Sequence, residues 1–278
     1  MLQETAPTGE KSWQLQAKGP MLYLYAADYE RVDVSIPELT IEFYFSRKHR
    51  EIMERVGIAD TLRQVAQYAT NTIGPLRFAQ DGKLKLMQVS AYLGGGYAGD
   101  GMSVMGESSF VEEGLRDPLR GASGQEVMAH EILHQWWGLG LMFAEGTDPE
   151  WSAEGFTVYS TYRLMKEKYG EDYARKFYVE MWRAEAEKLE RDFYHRHPEY
   201  LDKLPQQYVD TIRSHQYSTM TYCVMPLKIL KAAELLGGEE KMDEVMRGLF
   251  EKGHESMQPL TYDAFLEACD LKKEQLAL

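Results

Sequence analysis

The chain has 278 residues and little that would cross-link it or anchor it in a bilayer. It holds two cysteines, Cys223 and Cys269, and neither lies in a C-x-x-C pair. That excludes a disulfide framework and thioredoxin-like redox chemistry; two buried thiols and a single bridge both fit the sequence. No apolar run reaches the ~18 residues needed to cross a membrane as a helix, and the mean hydropathy is −0.47. Basic residues are in deficit: 31 Lys and Arg against 44 Asp and Glu give a net charge of −13. Nucleic acid and anionic lipid surfaces reward basic patches, so neither is expected as the main partner. The opening Met1-Leu2-Gln3-Glu4-Thr5 has no basic and apolar signal-peptide pattern. There is no fixed-period repeat and no low-complexity linker. What is present is a globular balance, 44% apolar and 27% charged, with enough chain to bury a sizeable core.

Strands come first and helices later, which favours an α+β fold over a doubly wound sheet. Trp13, Leu15 and Ala17 alternate with polar neighbours, Leu22 to Ala27 is an apolar run, and Ile41 to Phe45 reads as another strand. From Arg47 to Thr72 the spacing turns helical, with Ile52, Val56, Leu62, Val65 and Ala69 facing inward and Gly57 dividing the stretch. Gly74-Pro75 ends it. Lys83 to Tyr92 alternates again, a glycine cluster runs from Gly94 to Gly101, and Met102 to Met105 forms a short strand. Beyond it, helices are expected at 125–138, 153–168, 171–195, 225–236, 240–252 and 261–269.

One constellation carries chemistry. His130-Glu131-Ile132-Leu133-His134 is an H-E-x-x-H sequence. Residues four apart share a helix face, so His130 and His134 can offer two imidazoles to one metal. Glu131 is placed to reach water at the metal rather than the metal itself. The bland alternative is two histidines on a buried helix, each bonded to backbone or water. A catalytic zinc takes three protein ligands. Glu154, opening the helix that follows Trp151-Ser152-Ala153, is the best candidate for the third, although a helix-start carboxylate is also a common device for satisfying the dipole. His195-Arg196-His197 looks like a metal tract, but positions two apart do not share a helix face. His49, His215 and His254 lack ligand spacing.

The stretch His130 to Gly138 followed by Trp151-Ser152-Ala153-Glu154-Gly155-Phe156 resembles the zinc signature of the membrane alanyl aminopeptidase family, gluzincins with a thermolysin-like catalytic domain. The resemblance runs from about Trp13 to Cys269. The family separates its H-E-x-x-H from the third ligand by eighteen residues; here nineteen intervene, 135 to 153, with the extra one assigned to the loop Ala144–Pro149. The Glu-Gly-Phe anchor keeps Glu154 ahead of Glu145 and Glu150. The resemblance implies one zinc per chain held by His130, His134 and Glu154. It also implies Glu131 as general base and Tyr222, with Tyr217 as rival, as the tyrosine that stabilises the oxyanion. Ile73 to Phe78 and the strand after it match the family's approach to a substrate-binding edge. That edge corresponds to Gly95, Gly96, Tyr97, Ala98, Gly99 and Asp100. Family aminopeptidases carry a Glu there that binds the substrate's free amine; Ala98 stands in its place, with Asp100 two positions away as a possible substitute.

The expectation is therefore a zinc-dependent, aminopeptidase-like peptidase acting on peptides with altered terminus recognition. The alternatives are a zinc hydrolase of a non-peptide substrate and a non-catalytic peptide-binding module. Residues 1–37 are expected to be the last strands of a preceding β-domain and 38–278 the catalytic domain. The altered edge also fits a domain of a larger membrane-associated protein, and both cytoplasmic and extracytoplasmic placement suit the sequence.

Overall fold

The computed structural model describes residues 25–76, 80–89, 95–99, 101–110, 124–139, 151–256 and 260–278. The strands expected at Trp13–Ala17 and from Leu22 as far as Leu24, the residues Arg77 and Phe78, and the loop Ala144–Pro149 lie outside them.

Among the described residues, a mixed five-stranded sheet is followed by a largely helical half. The strands are β1 (Tyr29–Ile36), β2 (Leu39–Ser46), β3 (Lys83–Val89), β4 (Gly96–Gly99) and β5 (Met102–Gly106), in the order β1-β2-β3-β5-β4. β1 and β2 form an antiparallel hairpin, β2 runs parallel to β3 and β3 to β5, and β4 returns antiparallel on the edge. The β1–β2 hairpin turns at Pro37-Glu38, where the sequence suggested a domain division, and its two strands pair along their full length.

Local chemistry explains these elements. In β3 the lysines Lys83 and Lys85 face solvent while Leu84 and Leu86 are buried, the two-residue period of a half-covered strand. β2 is richer in aromatic and β-branched residues and buries Leu39, Ile41, Phe43 and Phe45. Between β2 and β3 the chain climbs through α1 (Arg50–Val56) and α2 (Ile58–Thr72). Gly57 divides them at φ 67°, a left-handed position where a Cβ is penalised. α2 turns Leu62, Val65, Ala66 and Ala69 into the core; Ile52 and Val56 of α1 are only partly covered.

The helical half comprises α3 (Gly124–Leu133), α4 (Phe156–Tyr169), α5 (Glu180–Arg191), α6 (Gln206–Thr219), α7 (Met225–Leu236), α8 (Glu239–Ser256) and α9 (Tyr262–Cys269). The stretch 171–191 contains a π-helical turn at Arg175–Val179, and α6 was not expected from the sequence. α3 is central, buried through Met128, Ala129, Ile132 and Leu133. The two tryptophans after it are fully covered, and both indole N–H groups are satisfied. Trp136 Nε1 donates to the Gly74 carbonyl at 2.8 Å and Trp137 Nε1 to Ser160 Oγ at 3.2 Å. These bonds fix the end of α3 to the loop after α2 and to α4. Cys223 and Cys269 are separate buried thiols rather than a bridge, and burial pushes their pKa values up to about 11 and about 12. No described helix is long and apolar enough to cross a membrane.

Candidate metal centre and active site

α3 presents His130 from its last turn, and His134 follows on the same helical track, its backbone N–H still bonded to the His130 carbonyl at 3.1 Å. Glu154 comes from the π-helical turn Trp151–Gly155 that leads into α4. Such a turn carries one extra residue and is common at functional sites. Gly155 allows the close packing behind it: a Cβ there would sit 3.2 Å from Met225 Cβ on α7.

The three side chains converge. His130 Nε2 and His134 Nε2 are 3.0 Å apart, and Glu154 Oε2 lies 3.1 Å from the first and 3.4 Å from the second. A tetrahedral zinc with bonds of ~2.0 Å separates its ligand atoms by ~3.3 Å, so the observed triangle has the dimensions of one face of such a site. Among the described residues this is the group of three ligating side chains that can hold a metal. Glu154 Oε2 is buried and makes no hydrogen bond.

The protonation states suit a cation. Thr157 Oγ1 gives its proton to the Ala153 carbonyl at 2.6 Å, and the Trp137 carbonyl can only accept. Both lie 3.2 Å from His134 Nδ1, so Nδ1 is the protonated nitrogen and Nε2 presents its lone pair. Burial depresses the His130 pKa, which favours neutral imidazole. Burial alone would raise the Glu154 carboxyl, but the two imidazoles facing it outweigh that and hold it well below the usual carboxylate range. At His134 burial opposes charge, yet the Glu154 and Glu131 carboxylates prevail and raise its pKa.

Glu131 points elsewhere. It is 6% exposed, its Oε2 is buried without a hydrogen-bond partner, and burial pushes its pKa to about 7. Its carboxylate lies directly beneath β4: a Cβ on Gly96 would stand 2.6 Å from Glu131 Cγ and 2.9 Å from Cδ. Only glycine lets the edge strand pass so close. Gly95 precedes the strand, while Gly96, Tyr97, Ala98 and Gly99 form it, Ala98 opposite Ser103; Asp100 lies outside the described residues. β4 bonds to β5 on one side and is the last strand of the sheet among the described residues, so its other backbone edge faces away from those strands.

Tyr222 is 39% exposed, with its ring centroid 6.3 Å from that of His130. The sequence placed it ahead of a helix. It lies instead in another π-helical turn, Met220–Val224, inside the continuous run from α6 to α7. The rival Tyr217 sits on α6 and is 43% exposed. Glu145 and Glu150 lie outside the described residues, and it is Glu154 that meets the histidines. His195 and His197 do not make a site: the His195 backbone N–H is capped by Asp192, and His197 faces Glu199 at 3.4 Å.

Thr157, Gln135 and Ser103 are additions that the sequence reading missed. Thr157 follows Glu154 by three residues and so shares its helix face. Gln135 is a polar residue between the ligand His134 and two tryptophans, which was a signal in itself.

Comparison with solved structures gives the same architecture. Yeast LTA4 hydrolase in complex with bestatin superposes with a TM-score of 0.62 at 19% identity, over 90% of this chain and 38% of that one. Aminopeptidase A from Legionella pneumophila in complex with aspartic acid gives 0.55 at 18%, over 87% and 26%. An M1 zinc metallopeptidase from Deinococcus radiodurans gives 0.50 at 18%, over 89% and 49%. The chain thus spans less than half the length of each, and at these identities the likeness speaks for the fold. No curated protein sequence matches significantly. The Peptidase family M1 domain profile matches residues 76–274, a span that begins before β3 and takes in the histidines, Glu154 and Tyr222. The chain belongs to peptidase family M1.

Proposed function

We propose that this domain is a zinc metallopeptidase that hydrolyses peptide bonds in chains laid along β4. The observation that carries the reading is the convergence of three ligand atoms within 3.4 Å of one another, beside a buried carboxylate that underlies an edge strand. M1 metallopeptidases are zinc enzymes, and the donor set of two imidazoles and a carboxylate suits zinc. One ion per chain would be held by His130, His134 and Glu154. When bound, zinc supplies Lewis acidity, which acidifies water and polarises a carbonyl oxygen.

The chain's own groups would do the rest. The outer edge of β4 offers backbone N–H and C=O groups to an extended peptide, in the manner of strand addition. Glu131 Oε2, poised near neutrality and without a competing partner, takes the proton from the attacking water and returns it to the leaving amine. Tyr222 donates its hydroxyl proton to the developing oxyanion, a contribution of ~3 kcal/mol to the barrier in comparable sites. Trp136 and Trp137, fully buried, keep water from the back of the metal helix.

Residue 98 brings no carboxylate to the edge strand. We therefore infer relaxed dependence on a free N-terminus. Glu131→Gln tests the core of the reading: the variant should hold zinc as the wild type does and lose peptide cleavage by at least about a hundredfold. Undiminished cleavage would remove Glu131 from the mechanism. A peptide and its N-acetylated twin test terminus recognition; cleavage of the free peptide alone would overturn the relaxed-terminus reading.

A further inference from the structure

We infer that Gln135 is a positioning residue that locks the substrate edge strand to the metal helix; the substrate part of this rests on the function proposed above. Gln135 follows the ligand His134 directly and is 4% exposed. Its carboxamide reaches away from the metal into the turn between β4 and β5. There Oε1 accepts the Gly101 backbone N–H at 3.0 Å. Its Nε2 faces three acceptors: the Gly99 carbonyl at 3.0 Å, the Met102 carbonyl at 3.3 Å and Ser103 Oγ at 3.4 Å. Ser103 Oγ is fully buried and gives its own proton to the Glu131 backbone carbonyl at 2.6 Å.

The chemistry fixes which way the amide lies. Gly101 offers a donor and requires the oxygen; two carbonyls and a committed hydroxyl require the nitrogen. One side chain thereby satisfies both the incoming and outgoing backbone of a turn that has Gly101 at φ 67°. β4 is only four residues long and holds two glycines, so its pairing with β5 is weak by itself. Gln135, in the turn that follows α3 and beside His134, ties the end of β4 and the turn after it to the metal helix, and Ser103 ties the neighbouring β5 to the carbonyl of Glu131 on α3. The height of the edge strand above the general base is thus set by two hydrogen-bonded side chains, with Gly96 supplying the clearance.

The test uses two activity-independent measurements and one kinetic one, on zinc-loaded wild type, Gln135→Met, Gln135→Glu and Ser103→Ala. Methionine keeps the length and loses every bond. Glutamate keeps the acceptor for Gly101 and turns an oxygen toward three acceptors. Zinc content should match wild type in all three variants. Hydrogen exchange across residues 97–104 should quicken, by about tenfold at the Gly101 amide in Gln135→Met, and less in Ser103→Ala. KM for a peptide of six or more residues should rise about tenfold, with kcat within about threefold, and an aminoacyl anilide should be affected less. Unchanged exchange in a folded variant overturns the lock. Faster exchange with unchanged KM overturns its role in holding substrate. A wild type that cleaves no peptide overturns the proposed function and the substrate role together, while exchange still decides whether the lock exists.

Discussion

Replacing Gly96 by alanine should cost both stability and activity, and the structure sets the size of the effect. The new Cβ would fall 2.6 Å from Glu131 Cγ and 2.6 Å from the Val104 carbonyl oxygen. Ordinary contact begins near 3.4 Å, so something must move by about 0.8 Å. The Val104 oxygen is backbone in the neighbouring strand, and Glu131 is buried, so neither can swing aside freely. Overpacking of this kind typically costs ~1–3 kcal/mol. In a domain of this size each kcal/mol lowers Tm by about 2–4 °C. Gly99 is the control: it lies on the same strand, and a Cβ there meets nothing within 4 Å. Thermal melts and peptide hydrolysis of Gly96→Ala and Gly99→Ala should therefore separate. The first should lose several degrees and most of its activity, the second little of either. Equal behaviour of the two variants, or a Gly96→Ala protein indistinguishable from wild type, would refute the placement of Glu131 under β4.

Two further outcomes follow from polar groups held inside the fold. Thr157→Val keeps the shape and removes the acceptor facing His134 Nδ1, so zinc affinity measured against a chelator should fall about 10–100-fold; unchanged affinity would leave the Trp137 carbonyl as the sole orienting partner. Asp243 is half-buried against Arg163 in a bidentate pair, with Glu239, Glu240 and Arg247 nearby, and its pKa is raised to about 6, chiefly by desolvation. The folded state then takes up this proton at higher pH than the unfolded chain. The stability of wild type relative to Asp243→Asn should fall as pH rises from about 4 to about 6. A difference that is flat or rising across that window in denaturant titrations would show that the Arg163 pairing outweighs the burial.

The metal triad was legible because its spacing is local. His130 and His134 are one helical turn apart, and the Glu-Gly-Phe sequence marks where Glu154 enters its helix. The edge strand was harder to read. Gly96-Tyr97-Ala98-Gly99 has poor strand propensity, and it forms a strand where Gln135 and Ser103 hold the turn that joins it to β5. α6 escaped notice because it is polar almost throughout and buries only Val209 and Thr219, which leaves no apolar period to detect. The π-helical turns at Glu154 and Tyr222 each insert a residue that shifts the helix face, and no single-residue propensity announces that. Sheet order is likewise non-local: β5 lies between β3 and β4, and β1 joins the same sheet through its hairpin with β2.

The central claim is that His130, His134 and Glu154 together hold a catalytic zinc ion. Calorimetric titration of zinc into metal-free wild type and Glu154→Ala tests it most directly. The geometry predicts a single high-affinity site per chain in the wild type and the loss of that site, or weakening by orders of magnitude, in the variant, with both proteins folded by circular dichroism. Wild-type protein that binds no zinc, or a variant that binds it as tightly as the wild type, would contradict the account.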